Sequence, residues 1–360
     1  MLGKTRRLAV LAEGSFNAND AKSAVGVLRY RPAEVVAVID STRAGRTAHA
    51  CAGVGGSVPV VANLEAAAAH EPDTLLLGIA PQGGALPSSW RTVIAEALMR
   101  GWDVISGLHV FLADDPELAA LAESKGCAIL DVRRPPAARP IAAGRAARVE
   151  ALVVLTVGSD CNVGKMTTAL EVRAELEKRG VRAAFVATGQ TGIFIADRGV
   201  AVDAVVSDFV AGAVEDMVVE AARDADIVLV EGQGALHHPA YSGVTLSLVH
   251  GACPDAMILC HATGRTHLRV ADVGPAPRIR SLSELIRDYE RAASWLVPGR
   301  VVGIALNTAQ LQDGEARRAI EHEAQRIGLP VTDPVRYGAE ALATALVRRL
   351  EDRRRGAASA

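Results

Sequence analysis

The sequence predicts an α/β protein with two domains, each built on a parallel sheet. Short apolar segments alternate with helix-forming segments along most of the 360 residues. One stretch rich in proline, alanine and arginine lacks this periodicity, and after it the alternation starts again with a strand, a glycine loop and a helix. The length also suits about two domains. We therefore expect a first domain over 1–134, a linker over 135–150, a second domain over 151–352 and a disordered tail over 353–360.

The first domain is predicted from five apolar strands and the helices between them. The predicted strands are Leu8–Ala12, Val35–Ile39, Thr74–Ile79, Asp103–Ser106 and Ala128–Val132. The predicted helices are Ala21–Tyr30, Ser89–Arg100 and Pro116–Lys125. Gly126 follows the last helix as a C-cap signal. This βαβ alternation predicts a parallel sheet with helices on both faces.

The second domain repeats the same alternation. Its predicted strands are Ala151–Val157, Ala183–Ala187, Ile227–Val230, Ala256–Cys260 and Val301–Leu306. Its predicted helices are Thr168–Lys178, Ala211–Arg223, Leu282–Ala293 and Gly314–Ile327. The first strand leads directly into the glycine loop, so we expect the carboxyl edge of this sheet to carry the main ligand site.

That loop is the strongest functional signal in the chain. It reads Gly158, Ser159, Asp160, Cys161, Asn162, Val163, Gly164, Lys165, Met166, Thr167 and Thr168. Strand, glycine loop, Gly-Lys and helix form the context of a phosphate-binding P-loop, where backbone N–H groups, the helix dipole and a lysine favour an anion. Two features depart from the usual motif: five residues separate Gly158 from Gly164, and Met166 stands where Ser or Thr normally binds magnesium. The motif therefore predicts a phosphate ligand without implying ATP hydrolysis.

Polar residues follow other strands of the second domain. Glu231 ends an apolar strand and precedes Gly232-Gln233-Gly234, so it is a candidate magnesium ligand or base facing the phosphates, or a strand-end carboxylate that caps a loop. His238 lies in the same loop and is a second candidate for acid–base chemistry, although a lone histidine is more often structural. Gln190 and Thr191 suit ligand contacts, and Asn307 either touches a nucleotide base or ends a strand.

The first domain lacks a dinucleotide fingerprint. After its first strand comes Glu13-Gly14-Ser15-Phe16-Asn17 rather than Gly-x-Gly-x-x-Gly, and Asp40 at the end of the second strand is weak evidence for a ribose site. We expect the strand ends either to line a crevice for a small polar substrate or to form plain turns. The candidate substrate-binding residues are Glu13, Lys22, Asp40, Gln82, Gly83 and His109. Lys22 and either Arg29 or Arg31 would neutralise a carboxylate substrate.

Composition excludes several classes of function. The net charge of −2 gives no electrostatic footprint for nucleic acid, and no apolar stretch is long enough to span a membrane. The five cysteines are scattered without a Cys-x-x-Cys pair, which favours a reduced, cytoplasmic protein. No metal-ligand spacing such as His-Glu-x-x-His is present, so no metal site is predicted. A homo-oligomer is expected only because homo-oligomers are common among proteins of this kind.

Several segments resemble known families. Gly158–Thr168, Glu231–Gly234 and Gly303–Thr308 are similar to the P-loop fold of dethiobiotin synthetase. The whole chain more closely resembles the DUF1611 family, which joins an N-terminal Rossmann-like domain to a C-terminal P-loop NTPase-like domain. The segments that carry this second resemblance, besides Gly158–Thr168, are Ala12–Gly14, Gly26–Pro32, Gly78–Pro81, Ser106–His109 and Asp131–Pro136.

The DUF1611 resemblance implies an activity. One class of its members is known as D-glutamate N-acetyltransferase, which uses acetyl-CoA in D-amino-acid catabolism alongside an enzyme that processes the N-acetyl product. A P-loop can hold the phosphates of coenzyme A without hydrolysing them, which suits Met166. In this interpretation Glu231 or His238 is the base, and backbone N–H groups near Gly232–Gly234 stabilise the thioester oxyanion.

Two alternatives stay open at this stage. One is an ATP- and magnesium-dependent ligase or kinase of the dethiobiotin-synthetase type, in which Thr167, Asp208 and Glu231 hold magnesium. Asp208 is equally well interpreted as a helix N-cap. The segment Thr188–Gly192 contains no lysine, which argues against a carboxylation activity. The other alternative is a non-catalytic regulator that binds a nucleotide.

Overall fold

The computed structural model of the protein describes residues 5–18, 20–79, 86–270 and 275–358. Its strands are β1 (Leu8–Leu11), β2 (Val35–Ile39), β3 (Val60–Val61), β4 (Thr74–Leu77), β5 (Asp103–Ser106), β6 (Ile129–Asp131), β7 (Leu152–Gly158), β8 (Ala183–Val186), β9 (Ile227–Val230), β10 (Ala256–Ala262), β11 (Arg300–Asn307) and β12 (Val331–Thr332). Its helices are α1 (Lys22–Tyr30), α2 (Ala48–Ala52), α3 (Leu64–Ala68), α4 (Ser88–Met99), α5 (Pro116–Lys125), α6 (Lys165–Lys178), α7 (Gln190–Ala196), α8 (Ser207–Ala221), α9 (Ser242–Ala252), α10 (Leu282–Ala293), α11 (Asp313–Ile327) and α12 (Glu340–Ala358).

The chain divides into two compact units. Unit 1 comprises the described residues up to Pro136 together with Gly189–Ala204. Unit 2 comprises Ala137–Thr188 together with the described residues from Val205 onward. The chain therefore leaves unit 2 after β8, contributes α7 to unit 1, and then returns. The division expected from the sequence, with a first domain over 1–134 and a second over 151–352, does not include this excursion.

Unit 1 is a six-stranded, all-parallel sheet in the order β3-β2-β1-β4-β5-β6, which is the Rossmann arrangement. Both faces of the sheet are covered, as β1 illustrates. Ala9 and Leu11 pack on one face in a core that includes Ile94 of α4, while Val10 packs on the other in a core that includes Val27 of α1. Continuous apolar strands are what a parallel sheet buried on both faces requires.

Unit 2 is also a six-stranded, all-parallel sheet, in the order β12-β11-β10-β7-β9-β8. The strand that precedes the glycine loop, β7, lies between β10 and β9, and all seven of its residues are buried. The predicted α/β class with two parallel sheets is thus confirmed. Within the described residues, every helix is too short or too polar to cross a lipid bilayer.

Two segments that were predicted to be irregular, a linker and a tail, have ordered structure. The expected linker over 135–150 is fastened to α8, because the buried Glu215 carboxylate accepts hydrogen bonds from the backbone N–H groups of Ala143 and Arg145. Of the disordered tail expected over 353–360, residues 353–358 are instead the end of α12, and 359–360 lie outside the described residues. Arg353 donates to the carbonyls of Ala151 and Val149. Both segments looked irregular in the sequence because their partners are distant along the chain.

Candidate phosphate-binding site

The phosphate loop, residues 158–164, connects the end of β7 to the start of α6 at Lys165. Asn162 and Gly164 have φ angles of 55° and 101°, so the backbone turns through the left-handed region before the helix begins. The first N–H groups of a helix have no partner within the helix. At α6 those groups belong to Lys165, Met166 and Thr167, and together with the helix dipole they favour an anion at the loop.

Lys165 lies folded over this loop. Its Nζ donates to the Asp160 carbonyl at 2.8 Å, and the residue is only 7% exposed. Burial lowers the pKa of Lys165, against the opposing influence of Cys260, Cys161 and nearby carboxylates. A phosphate that replaced the carbonyl as the partner of Nζ would supply the negative charge that this buried ammonium lacks.

Asp160 places a carboxylate inside the phosphate loop, and neighbouring groups compensate its charge. The residue is fully buried. Its Oδ1 accepts from the Cys161 N–H at 2.7 Å, and its Oδ2 accepts from Arg265 Nη1 at 3.1 Å and from the Arg269 N–H at 2.9 Å. Arg265 also donates to the Cys161 carbonyl at 2.6 Å. A buried carboxylate requires such partners, so the loop is held by residues about a hundred positions away in sequence.

One group of three metal-ligating side chains occurs among the described residues, and it lies at this loop. It consists of Asp160, Cys161 and His238, whose ligand atoms lie within 4.8 Å of one another. However, both carboxylate oxygens of Asp160 already accept hydrogen bonds, one of them from the Arg265 guanidinium. A divalent cation would have to compete with this arginine, so the arrangement favours an ion pair over a metal.

Glu231 lies at the end of β9, beside the phosphate-loop strand, as the sequence predicted for the strand-end acid. It is 5% exposed, and its Oε2 accepts from the Thr188 N–H at 3.0 Å. The Thr188 hydroxyl donates to the Glu231 carbonyl at 2.7 Å. The next residue, Gly232, donates its N–H to Thr156 Oγ1 at 3.0 Å, and a Cβ there would lie 1.7 Å from the Thr156 carbonyl oxygen. Only glycine therefore fits against β7.

His238 lies in the segment that we call the acid loop, residues 231–238, and both of its ring nitrogens have hydrogen-bond partners. Nδ1 accepts from the Ala240 N–H at 3.2 Å, which places the ring proton on Nε2, where it donates to the Arg269 carbonyl at 3.0 Å. The residue is 2% exposed. In this arrangement neither nitrogen can take a proton from a substrate, so the geometry supports a structural role more than the predicted catalytic one.

A different histidine forms a hydrogen bond with the phosphate loop. His261, near the end of β10, places Nδ1 2.8 Å from Ser159 Oγ. Burial lowers the pKa of His261, with Arg265 acting in the same direction and Glu323 and Asp160 opposing. A neutral ring can accept the Ser159 proton, so this pair fixes the serine hydroxyl.

Two family models match this chain. Residues 140–343 match the family model described as the P-loop domain of DUF1611, a domain of unknown function, and residues 41–135 match its N-terminal Rossmann-like domain.

The chain belongs to the DUF1611 family.

Full-length relatives support the assignment. This DUF1611 protein is 41% identical over 326 residues to a protein named D-glutamate N-acetyltransferase from Tritonibacter scottomollicae. That alignment covers 91% of this chain and 94% of the relative. The chain is 38% identical over 270 residues to a protein of the same name from a Pseudoalteromonas species, covering 75% and 80%. A crystal structure of a DUF1611 family protein from Anabaena variabilis is similar with a TM-score of 0.90 and 42% identity, covering 95% of this chain and 99% of that one.

The other candidate residues of this DUF1611 protein are distributed over both units. Asn307 ends β11 in unit 2, where its Oδ1 accepts from the Ala309 N–H at 3.1 Å, which is a strand-end turn. Asp208 is exposed in the first turn of α8. Gln190 and Thr191 begin α7 and belong to unit 1, where the Thr191 hydroxyl lies 2.8 Å from Ser23 Oγ. These two residues were predicted from the sequence as part of the second domain.

In unit 1, several predicted substrate-binding residues follow strands at the carboxyl edge of the sheet. Glu13 accepts hydrogen bonds from the N–H and hydroxyl of Ser41, and Lys22 begins α1. Asp40 is buried and accepts from the N–H groups of Phe16 and Thr42, both at 2.9 Å. Asp40 therefore holds a turn instead of presenting a carboxylate to a ribose. His109 is exposed after β5, whereas Gln82 and Gly83 lie outside the described residues.

Sequence reasoning missed several residues that hold the phosphate site. They are Thr156, Arg265 and Tyr289. Arg265 follows a strand at the same sheet edge as the loop, which is a signal the sequence did contain. Thr156 within a strand and Tyr289 within a helix carry no such signal.

Proposed function

We propose that this protein transfers an acetyl group from acetyl-CoA to the amino group of an acidic D-amino acid resembling D-glutamate. The observation that carries the proposal is the name shared by two relatives, one of them aligned over 91% of this chain. The geometry of the phosphate loop is compatible with it. The proposal also assigns the protein to D-amino-acid catabolism.

The phosphate loop suits the phosphate groups of coenzyme A. The first-turn N–H groups of α6 would bind phosphate oxygens, and Lys165 Nζ would exchange the Asp160 carbonyl for one of them. Met166 offers no hydroxyl for magnesium, which a transferase of this kind does not need. When bound, acetyl-CoA supplies the acetyl group as a thioester.

Acetyl transfer also requires a proton acceptor, because the amino acid must attack as a neutral amine. Glu231 is the proposed base, since both nitrogens of His238 are engaged in hydrogen bonds. The Gly232 N–H already donates to Thr156, so the proposal assigns the oxyanion donors to the N–H groups of Gln233 and Gly234. The pantetheine arm separates the thioester from the pyrophosphate, so the alternative role of Glu231 is at the phosphate site. There burial lowers the pKa of Lys165, and the charge of Glu231 opposes this lowering and favours the ammonium form. The two roles need separate tests.

The first experiment compares ligands by thermal shift and activity. Acetyl-CoA and CoA should raise the unfolding midpoint by mass action without magnesium. Acetyl-CoA with D-glutamate should release the CoA thiol, and L-glutamate should release it more slowly. Stabilisation by ATP with magnesium but not by CoA species would reject the transferase and support the ligase or kinase alternative.

Variants of two lysines on the same helix locate the ligand. Lys165→Ala should abolish the shift caused by CoA, because it removes the buried ammonium at the phosphate loop. Lys178→Ala is the matched control, since this lysine ends α6 with a side chain that is 74% exposed. An unchanged CoA shift in Lys165→Ala would remove the phosphate loop from the cofactor site.

The Glu231→Gln variant distinguishes the two roles of this carboxylate. If Glu231 is the base, kcat should fall by a factor of about 10²–10⁴ while the Kd for CoA stays close to that of the wild type. A large loss of CoA affinity with little further change in kcat would contradict a base and assign Glu231 to the phosphate site.

A further inference from the structure

The carbonyl oxygens of the phosphate loop are held by side chains. The Gly158 carbonyl accepts from the Tyr289 hydroxyl at 2.8 Å, and the Cys161 carbonyl accepts from Arg265 Nη1 at 2.6 Å. Backbone N–H groups bind an anion only when the neighbouring carbonyl oxygens point away from it. Side chains that hold these carbonyls therefore stabilise the orientation that the ligand needs.

Tyr289 makes a second contact, and it reaches another loop. This residue of α10 is completely buried, and its hydroxyl oxygen accepts the Leu236 N–H at 3.0 Å. Leu236 belongs to the acid loop, which begins at Glu231. A single phenol thus joins the first residue of the phosphate loop to the acid loop. Burial raises the pKa of Tyr289, so its hydroxyl keeps the proton that it donates to Gly158.

We propose that Tyr289 is a positioning residue of the phosphate site, which holds the Gly158 carbonyl away from the bound phosphate and fixes the acid loop in register with it. The inference rests on the proposed role of the loop in binding phosphate. Thr156 joins β7 itself to the acid loop, through the Gly232 N–H. Tyr289 is a second link, from the first residue of the phosphate loop to Leu236.

The test removes only the hydroxyl. Tyr289→Phe keeps the buried ring but leaves the Gly158 carbonyl and the Leu236 N–H without this partner. Tyr337→Phe is the matched control, because the Tyr337 hydroxyl donates to Asp313 Oδ1 at 2.7 Å in an exposed position. Affinities for inorganic pyrophosphate and for CoA are measured by calorimetry below the unfolding midpoint of each variant.

We expect Tyr289→Phe to raise the Kd for both probes about tenfold, and to raise KM for acetyl-CoA more than it lowers kcat. Tyr337→Phe should bind both probes like the wild type. A folded Tyr289→Phe variant with wild-type affinity for pyrophosphate would overturn the proposal, and so would a wild-type protein that binds neither probe. Binding of pyrophosphate but not CoA by the wild type would reject the acetyl-CoA assignment alone, and pyrophosphate would still test Tyr289.

A second measurement needs no variant. If Tyr289 couples the two loops, pyrophosphate bound to the wild type should slow hydrogen exchange in the peptide that contains Leu236. Unchanged exchange of that peptide at saturating pyrophosphate would overturn the coupling, even if Tyr289→Phe failed to fold.

Discussion

Thr188 and Glu231 are joined by two hydrogen bonds that run in the same direction. The Thr188 N–H donates to Glu231 Oε2 at 3.0 Å, and the Thr188 hydroxyl donates to the Glu231 carbonyl at 2.7 Å. The same hydroxyl accepts from Gln233 Nε2 at 3.1 Å. Thr188 is also the last residue of unit 2 before the chain passes into unit 1. The proposed base is therefore held within unit 2 by a residue that follows β8.

Thr188→Val tests the contribution of this hydroxyl. Valine keeps the shape and the N–H but removes one buried donor and acceptor, so we expect the free energy of unfolding to fall by about 1–2 kcal/mol. Urea denaturation measures the change. Thr344→Val is the control, because that hydroxyl donates to the Glu340 carbonyl and accepts from Arg179 in exposed hydrogen bonds, and its loss should change stability by less than about 0.5 kcal/mol. Equal effects of the two substitutions would contradict a special role for Thr188.

Glu215 fastens residues 143–145 to α8, and its loss should destabilise unit 2. The carboxylate is fully buried and accepts from the Ala143 N–H, the Arg145 N–H and Arg145 Nε. Glu215→Gln places an amide donor among these donors and should cost about 3 kcal/mol. Asp216→Asn, which alters a half-exposed partner of the same arginine, should cost less than about 1 kcal/mol. A similar loss in both variants would show that only the arginine matters.

The same carboxylate predicts a pH dependence. Burial raises the pKa of Glu215, but hydrogen bonds from Ala143 and Arg145 outweigh it and hold the pKa below its ordinary value of 4.5. A lowered pKa contributes stability that is present above pH 4.5 and is lost as the pH falls through the folded-state value. The stability difference between wild type and Glu215→Gln should therefore shrink in acid. A difference that stays constant from pH 7 to pH 3 would contradict this assignment.

Phe194 tests the assignment of α7 to unit 1. Its side chain is 5% exposed and packs in the core that contains Val10 and Val27. Phe194→Ala should lower the free energy of unfolding by about 3 kcal/mol and speed hydrogen exchange in β1 and α1 before β7. Ile195→Ala, on the half-buried side of the same helix, should have a smaller effect. Faster exchange confined to β7 and β9 would place the Phe194 contribution in unit 2.

Local patterns were sufficient to predict much of this fold. The run that forms β7, the glycine loop and Lys165 lie together in sequence, so their geometry follows from backbone conformation and helix capping. The strand-end position of Glu231 follows from the parallel sheet. By contrast, β3 and β12 contain two residues each and are too short to show any periodicity.

Contacts between distant residues could not be predicted in the same way. Asp160 and Arg265 are separated by 105 positions, and the sequence around either residue does not indicate that the other is its partner. The position of α7 depends on Arg31, which donates to the Phe194 carbonyl and pairs with Asp197. His238 looked available for catalysis because its partners, the Ala240 N–H and the Arg269 carbonyl, are backbone groups that side-chain patterns do not reveal.

The Asp160–Arg265 pair provides the sharpest test of how the phosphate loop is held. Arg265→Ala would leave a fully buried carboxylate without its guanidinium partner, and we expect a loss of about 3 kcal/mol in the free energy of unfolding. Asp160→Asn in the same chain should recover part of that loss, because no unpaired charge then remains buried. Arg280→Ala, which removes an exposed partner of Asp288, is the control and should cost less than about 1 kcal/mol. Strict additivity of the Asp160 and Arg265 substitutions would show that the two residues act independently.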